Sequence, residues 1–346
     1  MSDSLLQEPL QWHTKAWQHI TEQLERDSLS HAYILAAEAD TGKSHFAKFL
    51  AHALLCSQPV QYRACGECNA CKLNASGNHP DLYNLSPQGN SKQIGVDQIR
   101  ELRKFLETSS HAFGRRVIIL DSAENLGISS ANALLKGLEE PPAGVLFLLL
   151  SDRPKAVLPT ISSRAQTLRV GKPTKSQSLQ WLSHELELSE NEANLLLELA
   201  MDRPMSAYEM HESGLKESLS KIAGALLDIA KQAQSPSKIA RDLAKTNAGD
   251  TIRLMLLWIS TLIKAQLSAN MALVHDKALS EFANTLNLRT NLADEQAKAL
   301  FSLYNELVKA QRQLSSGSNP NAQLVLEDLF IKLQGLSRQN AVVVNS

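Results

Sequence analysis

A mostly parallel β-sheet covered by helices on both faces, followed by an all-helical remainder, is the fold class the sequence predicts. Two observations carry it. Short runs of consecutive apolar residues alternate with helical patterns through the first half of the chain. Strand signals then stop at Gly171-Lys172-Pro173.

Taken in order, residues 13–26 carry a helical pattern, and His31-Ala32-Tyr33-Ile34-Leu35-Ala36 reads as a buried strand running into a loop. Residues 43–56 predict a helix with Phe46, Phe49, Leu50, Ala53 and Leu54 on one face. A polar loop around 69–78 follows. Asp97 is placed to cap a helix whose Ile99, Leu102, Phe105 and Leu106 form an apolar stripe. Val117-Ile118-Ile119-Leu120 is a second strand, ending directly on Asp121. Residues 129–140 read as a helix stopped by Pro141-Pro142, because proline removes a helical donor and clashes with the preceding turn. Residues 145–150 give a third buried strand and 165–170 a fourth. Ligands on such sheets sit at the carboxyl ends of strands, so interest falls on the loops after Ala36, Leu120 and Leu150.

Beyond the boundary, residues 176–187, 190–200 and 204–211 read as three short helices. From Leu215 longer helical patterns follow, among them Leu254-Met255-Leu256-Leu257-Trp258-Ile259 and residues 297–314. A break over 317–321 precedes one last helix, 322–336, with a frayed tail from Ser337. The expected organisation is therefore an α/β domain over 1–170, a small helical lid over 171–213 and a helical collar over 214–346, a division that suits a chain of 346 residues.

Composition narrows the function classes. Lys and Arg number 35 against 36 Asp and Glu, so a chain that grips DNA alone is disfavoured, since phosphate neutralisation dominates such binding. Residues 1–10 carry acids and a proline, unlike a secretory leader. The longest apolar run, 145–150, is too short to cross a bilayer. The expected location is the cytoplasm, with no membrane partner.

All four cysteines lie at Cys56, Cys65, Cys68 and Cys71, spaced C-x8-C-x2-C-x2-C. Four thiolates can close a tetrahedral zinc site, and with no open ligand position such a site is structural. It would staple the end of the 43–56 helix to the polar loop. Free thiols or a redox pair are the alternatives, but redox pairs sit at a helix start, whereas three of these cysteines share one short loop. Nearby His79 reads as a loop residue before Pro80.

Residues 37–44, Ala37-Glu38-Ala39-Asp40-Thr41-Gly42-Lys43-Ser44, carry half of a phosphate-binding loop, G-x-x-x-x-G-K-[ST]. Gly42, Lys43 and Ser44 match; Ala37 replaces the first glycine. Glu38 and Asp40 place carboxylates where backbone N–H groups should attract a triphosphate. Asp121 stands where a magnesium-holding acid belongs, but the next residue is Ser122, which cannot act as a general base on water as a carboxylate can. Three readings remain: Lys43 and Ser44 as ordinary helix-start residues, nucleotide binding without hydrolysis, and full ATPase activity. Arg164, in Ser162-Ser163-Arg164-Ala165, is either a surface ion-pair partner or a planar charged fork for a phosphate bound elsewhere.

Several segments together resemble the clamp-loader family of AAA+ proteins. His31-Ala32-Tyr33-Ile34-Leu35 resembles its first core strand. Residues 130–142, Ser-Ala-Asn-Ala-Leu-Leu-Lys-Gly-Leu-Glu-Glu-Pro-Pro, resemble its A-N-A-L-L-K-x-L-E-E-P-P motif. Ser163-Arg164-Ala165 resembles its S-R-C motif, with alanine for cysteine. His79-Pro80-Asp81, residues 94–100 and the four-cysteine module are also similar, and the matches cover about the first half of the chain.

The resemblance implies an AAA+ P-loop-type domain with a structural zinc, a helical lid and a collar that builds a ring of five subunits. Active gamma/tau members keep a full phosphate loop and a D-E-x-H strand end, against Asp121-Ser122-Ala123-Glu124 here. Their nucleotide-sensing arginine would align near Met205. With Arg164 kept, the losses look like the delta-prime branch. That branch implies a non-hydrolysing subunit of a DNA-directed DNA polymerase holoenzyme, partnered by gamma/tau and delta subunits, the sliding clamp and primer-template DNA. ATP and magnesium would be bound by the partners, and Arg164 would complete a neighbour's ATP site in trans. An ATP-hydrolysing subunit of the gamma/tau kind is the alternative, and Gly42-Lys43-Ser44 speaks for it.

Overall fold

The computed structural model describes residues 8–88, 91, 93–107, 114–245, 248–268, 270, 274, 277–286, 294–315 and 320–343. Five strands form one sheet: β1 (Ala32–Ala36), β2 (Leu82–Leu85), β3 (Arg116–Leu120), β4 (Val145–Ser151) and β5 (Gln166–Arg169). Their order is β2-β3-β4-β1-β5, and every neighbouring pair is parallel. In register, Ala32 faces Phe147 and Ala36 faces Ser151 on one side of β1, while Tyr33 faces Gln166 on the other.

β1, β3 and β4 are buried along their whole length, which is why residues 32–36, 117–120 and 145–150 are continuous apolar runs. Alternate residues enter two cores. Tyr33, Leu35, Val117, Leu146 and Leu148 pack with α1 (Thr14–Glu25) and α2 (Lys43–Leu55). Ile34, Ile118, Leu120, Phe147 and Leu149 pack with α4 (Val96–Glu107) and α5 (Ile128–Glu139). The parallel sheet with helices on both faces is thus as the sequence predicts.

Local differences have physical causes. Residues 69–75 are not loop but a short helix, α3 (Asn69–Ala75), which Cys68 caps by accepting a hydrogen bond from the Cys71 N–H. β2 was not expected at all; it is a four-residue edge strand whose Asn84 is exposed, so its apolar signal is weak. Asp97 is not the cap of α4 but lies in its first turn, paired with Arg100 one turn on at 2.8 Å.

His79-Pro80-Asp81 has a structural role in this core. The Asp81 N–H donates to His79 Nδ1 at 3.1 Å, and fully buried Asp81 stands 3.7 Å from Arg116 Nε. Arg116 in turn donates to the Phe105 and Leu106 carbonyls at 2.9 and 3.3 Å, tying the end of α4 to the start of β3.

After β4, α6 (Pro159–Ser162) leads to β5, and α7 (Lys175–Glu185), α8 (Glu190–Leu199) and α9 (Pro204–Glu212) follow. Six more helices complete the described chain: α10 (Leu215–Ala230), α11 (Pro236–Ala244), α12 (Ala248–Leu267), α13 (Lys277–Thr285), α14 (Asp294–Ser315) and α15 (Ala322–Val343). α15 continues past Leu336, where a frayed tail was expected.

By residue contacts the chain divides into two compact units. The first is Met1–Glu185 with Arg203–Met205, and the second Leu186–Asp202 with Ser206–Ser346. In the second, α12 packs on α14 and α8, and α11 on α15, around Trp258, Phe282 and Phe330. No helix among the described residues is long and apolar enough to cross a membrane.

Candidate functional site

Three groups of sequence-selected residues lie in the first unit. The cysteine cluster is the most regular. Cys56 follows the last turn of α2, Cys65 and Cys68 precede α3, and Cys71 sits inside it. All four sulfurs lie within 4.8 Å of one another. Four pairs are separated by 3.6, 3.8, 3.9 and 3.6 Å. A tetrahedron of zinc–sulfur bonds about 2.3 Å long has edges of about 3.8 Å, so the spacing fits a single ion. A disulfide would need about 2.05 Å, and all four thiols are free.

The backbone supports negative sulfur. N–H groups of Gln58 and Cys65 point at Cys56 Sγ at 3.4 and 3.3 Å, and those of Cys68 and Cys71 at Cys65 Sγ and Cys68 Sγ, each at 3.4 Å. Burial pushes the Cys56 and Cys71 thiols up. Burial acts the same way on Cys68, but hydrogen bonds from Ser57 and Cys71 outweigh it and bring it to about 5. Backbone N–H groups of Cys68 and Glu67 lower Cys65. Four sulfurs so arranged can hold a metal ion such as zinc.

The half-complete phosphate loop lies between β1 and α2, at the carboxyl end of the sheet. Its charged groups are matched from within the chain. Lys43, only 8% exposed, forms an ion pair with Asp152, the residue after β4. The Asp152 N–H is held by Glu124 Oε1 at 3.1 Å, so the strand end after β3 also braces this pair. Glu38 pairs with Lys172 at 2.8 Å and Asp40 with Arg203 at 3.4 Å.

The loop backbone is covered as well. Trp12 Nε1 donates to the Thr41 carbonyl at 2.8 Å, and the Met205 N–H to the Asp40 carbonyl at 3.2 Å. Gly42 adopts φ 96°, and a Cβ there would sit 2.8 Å from Leu10 Cδ1, 3.1 Å from His13 Cε1 and 3.3 Å from Met205 Sδ. Glycine is required by both conformation and space. His13 is fully buried, and burial first, then neighbouring His45, lowers it to about 3, so it is neutral.

Asp121 follows β3, its N–H donating to the Leu85 carbonyl at 2.8 Å, and Ser122 turns the chain at φ 56°. The predicted residues Gly42, Lys43, Ser44 and Asp121 therefore share one end of the sheet. The partners of Lys43, Glu38 and Asp40 were not foreseen. Asp152 had a signal, since it lies in the loop after β4 where ligands were expected; Lys172 and Arg203 had none.

Arg164 stands apart, just beyond α6. Its Nη1 donates to the Thr160 carbonyl at 2.9 Å and Ser163 Oγ at 3.0 Å, and its Nη2 meets Glu139 at 2.6 Å.

The comparisons agree along the chain. Residues 12–174 match the family described as DNA polymerase III, delta subunit, and residues 215–335 match DNA polymerase III, delta subunit, C terminal. The DNA polymerase III subunit delta′ of Pseudomonas aeruginosa is 31% identical over 333 residues, covering 94% of this chain and 97% of its own length. That of Escherichia coli is 28% identical over 305 residues, 88% of this chain and 89% of its own. Among solved structures, this chain is similar to a gamma-subunit-related protein of Thermotoga maritima at 18% identity and a TM-score of 0.43, over 92% of this chain and 99% of that one. On sequence, over nearly the full length of both proteins, the chain belongs to the family of DNA polymerase III delta′ subunits.

Proposed function

We propose that this chain is the non-hydrolysing subunit of a bacterial clamp loader. It assembles in the cytoplasm with gamma/tau and delta subunits in a five-membered ring that places the sliding clamp on primed DNA. It holds no working ATP site and supplies Arg164 to the ATP site of a gamma/tau neighbour. Residues 171–213 act as a lid and 214–346 as the ring-forming collar.

The observation that carries the reading is the pairing of Lys43 with Asp152. A lysine that should meet phosphate is instead neutralised by a carboxylate of its own chain, beneath a glycine already crowded by Leu10, His13 and Met205. Ser122, in place of an acid, leaves water without a general base. Arg164 keeps the donors that can stabilise charge on a transferring phosphoryl group. Zinc at Cys56, Cys65, Cys68 and Cys71 keeps the α2–α3 corner rigid and does no chemistry.

Reconstitution with gamma/tau and delta subunits tests this. Arg164→Ala assembles but loses a large share of DNA-stimulated ATP hydrolysis, the share that depends on the site it completes. Unchanged hydrolysis removes the trans role. Brisk hydrolysis by the isolated chain removes the whole reading in favour of a gamma/tau-like subunit.

A further inference from the structure

The A-N-A-L-L-K-x-L-E-E-P-P-like segment forms α5, whose Ala131, Leu134 and Leu138 pack into the core. That accounts for its apolar residues and not for Glu139, the last residue of the helix. An acid at a helix C-terminus opposes the helix dipole, so Glu139 does not stabilise α5 by itself. Its carboxylate is directed at Arg164, 2.6 Å from Nη2.

The guanidinium is thus held from two elements. Thr160 and Ser163 take Nη1 from the α6 side, and Glu139 takes Nη2 from the end of α5. The backbone beneath it is fixed too, since the Arg164 N–H donates to the Ile161 carbonyl at 3.0 Å and Ile161 is fully buried. A guanidinium carries five N–H donors, so three contacts leave two for an outside acceptor. The side chain is 35% exposed, open to such an acceptor. A loose arginine surrenders rotamer entropy when it is fixed on phosphate, whereas one already braced loses less.

We infer that Glu139 is the positioning residue of Arg164: it holds the guanidinium in the orientation that a nucleoside triphosphate on a neighbouring subunit meets. This rests on Arg164 acting across a subunit boundary. The carboxylate touches no phosphate and takes no part in proton transfer.

The test is DNA-stimulated ATP hydrolysis by the reconstituted clamp loader carrying wild type, Glu139→Ala, Glu139→Gln or Arg164→Ala, with assembly checked by gel filtration. Glu139→Ala lowers the Arg164-dependent part of kcat about tenfold and leaves KM for ATP unchanged, because only the entropy of fixing the arginine is lost. Glu139→Gln recovers most of that loss, since its amide oxygen still accepts from Nη2. The double variant with Arg164→Ala is no slower than Arg164→Ala alone, because both act through one group.

Wild-type turnover in Glu139→Ala overturns the inference while the Arg164 defect leaves the finger standing. Raised turnover overturns it as well, making Glu139 a restraint. Equal losses in the alanine and glutamine variants, with weakened assembly, make the role merely structural and also overturn it. If Arg164→Ala is itself silent, the trans role has failed and this inference falls with it. Should Glu139→Ala not fold, Glu139→Asp carries the test: it keeps the charge, shortens the arm, and is expected to lower kcat with KM unchanged.

Discussion

Removing metal from the cysteine cluster has consequences that can be worked out in advance. At neutral pH two of the four thiols, Cys56 and Cys71, are held in the protonated form by burial, while Cys68, at about 5, is already thiolate. A metal ion takes all four as thiolates, so binding expels at least two protons. Affinity therefore rises with pH, by at least about a hundredfold per unit around neutrality, and falls correspondingly on acidification. The structural effect is local. α3 has seven residues, well short of the dozen or so an isolated helix needs, and only Ala70, Cys71 and Asn74 of it are buried. Chelation, or Cys65→Ser, should strip amide protection from Asn69–Ala75 and leave the strands of the sheet protected. Zinc competition titrations at pH 6.5 and 7.5, with hydrogen exchange before and after chelation, measure both effects. Protein purified without metal, affinity indifferent to pH, or α3 amides that stay protected after chelation would each refute the reasoning.

Asp81→Ala strands a buried guanidinium and should destabilise the first unit by about 3–5 kcal/mol, measured by denaturant unfolding followed at residues 116–120 by hydrogen exchange. Lys43→Ala and Asp152→Ala should each cost about 1–2 kcal/mol of stability and leave clamp loading intact; collapse of loading in Lys43→Ala would mean that the loop serves a nucleotide. His13 has a folded pKa of about 3, below its unfolded value, so the unfolded chain binds the extra proton and stability falls as pH drops from about 6.5 towards 3. Between pH 8 and pH 5.5 the loss is about 1.4 kcal/mol, and the difference between wild type and His13→Leu in unfolding at those two pH values isolates it.

What could be read in advance followed the strength of the local signal. β1, β3 and β4 were legible because each is buried on both faces and so contains an apolar run of four residues or more. β2 was not, because an edge strand with a polar, exposed Asn84 resembles a loop. α3 was hidden by its asparagines and lysine, since its order comes from cysteine geometry and not from an apolar stripe. At the phosphate loop, spacing revealed which residues stand there and the charge conflict of Glu38 and Asp40. It could not reveal the resolution of that conflict, because Lys172, Arg203 and Asp152 approach through the fold from far along the chain. Glu139 belongs to a sequence motif that names no partner for it, and only tertiary geometry gives it one in Arg164.

In a nucleotide-dependent relative, part of the fold's stability is on loan from the ligand and disappears when the ligand leaves. Here Asp152 supplies a negative charge to Lys43, reaching from the end of β4 to the lysine that opens α2 beyond β1, two neighbouring strands at the middle of the sheet. The carboxylate is tethered to the chain, so it is at hand whether or not an outside anion is. In the proposed function, this end of the sheet keeps one shape while neighbouring subunits bind and release nucleotide.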